Sequence, residues 1–373
     1  MLDDYLRLFA DRERIEAFDR VIRQVVRSED VVVDLGCGIG TYAIFAARAG
    51  ARRVFAVESS AAIEYAREMA RRNSVDVEFI AGDALDVRLP ELATVLIYED
   101  YSTGLLPGPS RALLDTIRAN WMTENYRAIP ERASLYAAPI ASESVRRAID
   151  PFRAGAEDAY GLDASALLDA SRNTAHHFHL VDAQLLAPST ALFEQATCEP
   201  FPSRWRGTGT MEFDRAGLFD GLCLWHDLSL LGDEIYSNAP DGTATWGQHL
   251  FPVSEPWPVE PGDRLGYDLA FDGVFDEGVW KWSFELLDAP TPDRRCAGNT
   301  FAGLPVTGAR LERFDHDSVV RRTPRTEIEA FILSLVDGKR TVGEIAAEVQ
   351  RQTGVGELAP ALDLVHRCIG PRR

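Results

Sequence analysis

Residues 31–58 read VVVDLGCGIGTYAIFAARAGARRVFAVE. An apolar strand-like run, Val31–Leu35, interrupted only by Asp34, leads directly into Gly36-Cys37-Gly38-Ile39-Gly40, and a helix-forming stretch follows. Glycines there let the backbone turn tightly and approach a ligand, while the next helix offers unpaired amides at its N-terminus. The spacing is G-x-G-x-G rather than the G-x-G-x-x-G of dinucleotide enzymes, and a second strand, Val54–Val57, ends in the acid Glu58. A carboxylate at that point can accept both hydroxyls of a ribose. After the third strand, Ala81-Gly82-Asp83-Ala84 supplies an acid able to accept from an adenine amino group. The leading Asp34 and the third-strand acid favour S-adenosylmethionine (SAM) over a dinucleotide. Asp34, Gly36, Gly38, Gly40, Glu58 and Asp83 are then the cofactor-binding residues.

Outward from this stretch, residues 1–138 alternate apolar runs (Val31–Leu35, Val54–Val57, Val77–Ile80, Val95–Ile97) with helix-like segments (Tyr42–Ala49, Ala61–Asn73, Arg111–Tyr126). Alternation of this kind means βαβ units and a mainly parallel, Rossmann-like α/β sheet. From 139 to 318 short strand candidates (Phe178–Asp182, Leu222–Leu230, Arg264–Phe271, Val279–Leu286) stand between Pro- and Gly-bearing turns, as in an antiparallel barrel or sandwich. A helix-forming stretch from Asp150 to Ala175 interrupts them. In the segment 319–373, Ile328, Phe331, Ile332 and Leu335 fall on one helical stripe, which Asp337-Gly338 stops. Thr341 and Glu344 form a T-x-x-E capping box for a second helix, and a third spans Leu358–Cys368.

The 373 residues suggest two or three domains, and 46% hydrophobic content supplies several cores. A formal net charge of −19 argues against nucleic acid and is compatible with a cationic substrate, although it serves solubility equally well. No run of about 18 apolar residues predicts a membrane span, and MLDDYLRLFADRER lacks a signal peptide's apolar stretch, so a cytoplasmic location is expected. The five cysteines form no CxxC pair and lack His at ligand spacing, so neither a metal site nor a disulfide framework is expected.

The stretch DLGCGIGTYAIFAARAGARRVFAVESS, with Asp11-x-x-Arg14, Phe18 and Ile22 upstream, resembles the protein arginine methyltransferases. The resemblance covers about residues 5–315 and is strongest in the first hundred. It assigns Arg14 to the SAM carboxylate, a role suited to a rigid guanidinium fork. It also implies a β-barrel substrate domain and a head-to-tail homodimer. Tyr160-Gly161-Leu162-Asp163 resembles a helical dimerisation arm at about 150–180, and Ala244-Thr245-Trp246-Gly247-Gln248 resembles the loop lining the substrate pocket. His226, in a strand-like run of the barrel, is placed at the pocket as a structural residue rather than a base.

Two departures matter. The family holds guanidinium between two glutamates nine residues apart; here Glu99 is the first, also counted among the cofactor contacts, and Gly108 occupies the second position. Asp100 is adjacent, but neighbouring side chains in an extended loop point apart. Thr245 stands where the family carries His before the tryptophan. An alkyl amine, unlike a guanidinium, must shed a proton near pKa ~10 before attack. Glu99, with Tyr101 relaying that proton, is the expected catalytic pair, and Asp100 joins the substrate pocket.

Residues 331–346, FILSLVDGKRTVGEIA, resemble the helical part of PqqD-like winged-helix modules, which bind leader peptides of ribosomally made natural products. The strand half would have to come from Ala309–Phe314 and Val319–Arg322. A plain structural tail fits as well. The leading expectation is a SAM-dependent N-methyltransferase acting on an amine of a recruited ribosomal peptide, daptide-type pathways being one setting, with S-adenosylhomocysteine as by-product. Arginine guanidine methylation and a catalytically silent SAM-binding scaffold are the alternatives.

Overall fold

A computed structural model describes residues 2–101, 105, 110–151, 161–240, 245–273, 278–287, 294–304, 324–353 and 358–369. Gly108, Tyr160, Ala244 and the strand candidates Ala309–Phe314 and Val319–Arg322 lie outside them. The chain divides into two compact units, Met1–Pro305 and Val306–Arg373.

The first unit opens with two helices, α1 (Leu2–Ala10) and α2 (Arg12–Val25). The Asp11 carboxylate caps α2 by accepting from the Arg14 backbone N–H, and the stripe Phe18, Val21, Ile22, Val25 is buried. Then follow β1 (Val31–Leu35), α3 (Thr41–Arg48), β2 (Arg53–Glu58), α4 (Ala62–Arg72), β3 (Glu78–Ala81), β4 (Ala93–Tyr98), α5 (Ser110–Asn120) and β5 (Met122–Ile129). The five strands pair in parallel in the order β3-β2-β1-β4-β5. The order reverses between β1 and β4, and such a switch point opens a crevice at the carboxyl ends of the strands. Central β1 is buried along its whole length, which explains why its sequence is a continuous apolar run rather than an alternating one.

The helix expected over Arg111–Tyr126 ends at Asn120. Its apolar spacing closes with Leu113, Leu114 and Ile117, and Met122–Ile129 instead pairs with the free edge of β4. Sheet pairing there overrides local propensity.

The strands beyond build two antiparallel sheets. One is ordered β7 (His176–Phe178), β13 (Gln248–Val259), β11 (Gly217–Leu231), β6 (Arg132–Ala141), β8 (Gln184–Leu185). In it, β9 (Thr190–Ala196) pairs with β6 and β12 (Glu234–Ser237) with β11. The other is β10 (Arg204–Glu212), β14 (Arg264–Asp272), β15 (Val279–Leu286), β16 (Arg295–Asn299). Aromatic side chains join the sheets: Phe251 lies 5.1 Å from Trp282 and Phe219 lies 5.8 Å from Phe284, centroid to centroid. Edge and offset contacts at that spacing are the favoured geometry. The strand expected at Phe178–Asp182 is shifted to 176–178, because Leu180 donates its N–H to the Gln248 side chain and leaves the ladder. Helices α6 (Glu143–Ile149) and α7 (Ser165–Arg172) interrupt the strands.

The second unit holds α8 (Pro324–Ser334), α9 (Val342–Thr353) and α10 (Leu358–Ile369) around Ile332, Ile345, Val349 and Val365. The capping box is reciprocal: Thr341 N–H donates to the Glu344 carboxylate at 2.8 Å, and Glu344 N–H donates to Thr341 Oγ1 at 3.3 Å.

Candidate active site

The crevice at the β1/β4 switch is a cavity of about 620 Å³, walled by the ends of β1, β2 and β4, by α1, and by Trp246. That is the size of a small-molecule site. Glu58, nearly buried at the end of β2, accepts from Gly38 N–H at 2.9 Å through Oε2 and from Ser60 N–H at 2.7 Å through Oε1. These two donors fix a carboxylate whose remaining lone pairs face the cavity. Gly38 takes φ +52°, and a Cβ there would sit 2.8 Å from the Tyr5 ring on α1, so only glycine admits this close cover.

Asp34 is buried and accepts from Ala43 N–H at 2.9 Å, tying the strand end to the first turn of α3. Burial pushes its carboxyl up to about 7; the Ala43 bond opposes the rise and the Glu58 charge adds to it. Asp83 stands at the exposed rim, its Oδ1 accepting from Leu85 N–H at 2.9 Å.

Gly36 also lines the cavity, but Gly40, expected as a cofactor contact, does not. It takes φ +79° at the start of α3, where a Cβ would meet Ala66 Cβ at 2.9 Å. Its role is to let helix α3 pack against α4.

Arg14 is only 2% exposed, and its guanidinium pairs with Glu99 and donates to the Leu8 carbonyl. It lies 5.6 Å from the Trp246 ring centroid. Beneath it, Asp11 Oδ2 accepts from Tyr236 OH at 2.7 Å and from Thr245 Oγ1 at 2.6 Å. Burial alone would raise the Asp11 carboxyl. The bonds from Thr245, Tyr236 and the Arg14 N–H outweigh it and hold the group below its ordinary range. Thr245 thus makes a direct bond to the α2 cap. Tyr236, an edge-on neighbour of Trp246 at 5.3 Å, carried no sequence signal, because its place depends on a hairpin more than 200 residues from Asp11.

Glu99, Asp100 and Tyr101 all border the cavity. The Tyr101 ring forms a wall edge-on to Tyr98 at 4.8 Å, but its hydroxyl is bound to Thr197 Oγ1 at 2.9 Å, inside the protein. Burial raises that phenol further from any useful range, so the expected proton relay is replaced by a structural contact. Asp100 is raised by desolvation against the cavity walls and then by the Glu58 charge. Trp246 lines the cavity; His226 does not, being buried behind Trp246 at 5.3 Å, so its expected place at the pocket is corrected to that of a support. Tyr5, Leu8 and Phe9 of α1 also line the site. Their i, i+3, i+4 spacing was the signal available in the sequence. Among the described residues, no group of three or more His, Cys, Asp or Glu is arranged to hold a metal.

Residues 32–119 match a family model described as a methyltransferase domain. Protein arginine N-methyltransferase PRMT10 of Oryza sativa subsp. japonica is 29% identical over 298 residues, covering 69% of this chain and 77% of that protein. PRMT10 of Arabidopsis thaliana is 27% identical over 301 residues, covering 70% and 78%. Among solved structures, the Trypanosoma brucei PRMT1 enzyme–prozyme heterotetrameric complex with AdoHcy superposes with a TM-score of 0.71 at 18% identity, covering 80% of this chain and 98% of the other. Arabidopsis PRMT10, in an open conformation, gives 0.68 at 23% identity, with the same coverages.

The methyltransferase domain and the relatives make this chain a SAM-dependent methyltransferase. Within that class the chain is similar to the arginine methyltransferases.

Proposed function

We propose that this protein transfers methyl groups to a cationic nitrogen, and that the nitrogen is an amine of a ribosomally made peptide. The observation carrying the reading is the acidity of the cleft: among the described residues, Asp4, Asp34, Glu58, Asp83, Glu99 and Asp100 line it, and Arg14 supplies the one guanidinium. Such a wall attracts a sulfonium cofactor and a protonated acceptor alike.

In this reading Arg14 takes the cofactor's carboxylate, Glu58 its ribose hydroxyls and Asp83 its adenine, while Asp34 and the Gly36–Gly38 turn shape the floor. The residues suit the group, since Glu58 is already oriented by two amides and the cavity has the right size. When bound, SAM supplies an activated methyl on a sulfonium. Positioning is therefore most of the catalysis. Glu99 orients the acceptor and takes its proton, while Asp100, Trp246 and Tyr101 line the pocket around it.

Gly108 in place of the second glutamate leaves a guanidinium bracketed on one side only, which favours an amine. Arginine methylation is the second reading, favoured by the relatives' names. The helical segment from 319 is assigned to leader-peptide recruitment, raising the local concentration of the substrate. Residues 1–138 are assigned as the cofactor domain, 139–318 as a barrel-type substrate domain with an arm for homodimerisation, and 319–373 as the recruiting module of a cytoplasmic enzyme.

Labelled SAM offered with peptides bearing a free α-amine and with arginyl peptides separates the readings: label on amines is expected, and label on arginine alone overturns it. Deleting residues from 319 onward should raise KM for leader-bearing peptides selectively. An equal loss on leaderless ones would reduce the module to a structural tail.

A further inference from the structure

Trp246 sits in a segment with no strand partner, residues 245–247 lying between an end of β12 and the start of β13. Three consecutive backbone carbonyls there are each taken by a side chain. Thr245 O accepts from Arg7 Nη1 at 3.1 Å, Trp246 O from Gln248 Nε2 at 3.3 Å, and Gly247 O from Asn238 Nδ2 at 2.7 Å. The first of these bonds is exposed, while the donors of the other two, Gln248 and Asn238, are buried, where a backbone carbonyl outside a ladder needs such a partner.

Two of the three donors form a closed network. Asn238, fully buried, is fixed on β11 because its N–H donates to His226 O at 3.2 Å and its Oδ1 accepts from His226 N–H at 2.7 Å. Gln248, 3% exposed, donates to Asn238 O at 2.8 Å as well as to Trp246 O, and its Oε1 accepts Leu180 N–H at 3.0 Å. Each amide uses both its ends, so neither can rotate without leaving a buried group unmatched. His226 then backs the Trp246 ring at 5.3 Å from the same strand.

We propose that Asn238 and Gln248 are positioning residues that set the Trp246 ring against Arg14 and so define the width of the acceptor pocket. This rests on the reading of Trp246 as a wall of that pocket. Neither residue lines the cavity. The pair acts through the backbone of 246–247.

Asn238→Asp and Gln248→Glu keep shape but replace the donating NH₂ with an oxygen that repels the carbonyl it faced. KM is measured for a synthetic peptide with a free α-amine and for an arginyl peptide, whichever accepts label; SAM affinity is measured by calorimetry and folding by melting temperature. The expected result is an acceptor KM raised about tenfold with SAM affinity changed less than about twofold. In a Trp246→Ala background the second substitution should add almost nothing, because residues acting through one another are not additive. Full additivity on Trp246→Ala, or equal losses in SAM affinity and acceptor KM, would overturn the proposal and leave a merely structural pair. If Trp246→Ala itself leaves acceptor KM unchanged, the reading of the pocket fails and takes the positioning role with it. Should Asn238→Asp not fold, Gln248→Glu and Gln248→Met carry the same test, since Gln248 bonds Trp246 O directly.

Discussion

The two halves of the cleft are built differently. The side proposed for the cofactor comes, apart from Arg14, from residues 34–38, 58 and 83, within one run of βα turns, and its polar contacts join a strand end to the next strand or helix. The side proposed for the acceptor gathers Glu99, Thr197, Tyr236 and Trp246 from four separated segments, tied to Asp11 and Arg14 of α2 by bonds that span as many as 234 residues. A turn encodes its own geometry through its glycines. A wall assembled from distant elements depends on every contact that brings them together. Substrate preference can therefore drift on the second side while the first stays constant, which is where this chain departs from the enzymes it resembles.

The largest expected effect breaks the acceptor side at its one committed carboxylate. Glu99→Gln should lower kcat by roughly 10²- to 10⁴-fold, the usual weight of a positioned proton acceptor, while SAM affinity measured by calorimetry changes far less. An unchanged turnover would remove Glu99 from catalysis. Next, Glu58→Ala should weaken SAM binding by about 2–3 kcal/mol, the scale of hydrogen bonds to a charged group, with acceptor KM little affected at saturating cofactor. A loss confined to acceptor KM would reverse the division between the halves.

Thr245→Val removes one donor to Asp11 but keeps the shape, and a loss of about 1 kcal/mol in kcat/KM for the acceptor is expected, with Tyr236 still bonded. No change would show that Tyr236 alone secures the carboxylate. The smallest effect belongs to Asp34, whose carboxyl is raised in the folded protein to about 7. A raised carboxyl binds its proton more tightly folded than unfolded, so its contribution to stability is complete below the unfolded value near 4 and declines as pH rises through about 7. Asp34→Asn should flatten that part of the melting-temperature profile; a profile parallel to the parent between pH 5 and 8 would show Asp34 fully ionised throughout.

Legibility in the sequence follows the same division. The strand and turn of 31–40 and the acid that ends β2 are legible because strand, turn and cap signals are local. The capping box at Thr341 was readable for that reason too. At Gly40 the positive φ and the close approach to Ala66 account for the glycine by helix packing, and the motif does not distinguish a glycine that admits a ligand from one that admits a helix. Tyr101 was assigned by adjacency to Glu99, but its hydroxyl is claimed by Thr197, a partner 96 positions away. The helix expected over Arg111–Tyr126 takes in residues 122–126 of strand β5, because pairing with β4 cannot be seen in a short amphipathic segment.

By itself, then, the sequence determined the parallel sheet, the glycine turn and the acid at the end of β2, since each follows from backbone sterics and periodicity over a few residues, while the cofactor followed from the motif's acids and the resemblance they carry. Only the tertiary structure decided that Arg14 pairs with Glu99, that Asp11 is held by Tyr236 and Thr245, and that His226 lies behind Trp246 rather than beside the cavity. Those outcomes depend on which buried polar groups find one another once the sheets have closed, and a buried group must take whichever partner the packed chain brings within reach.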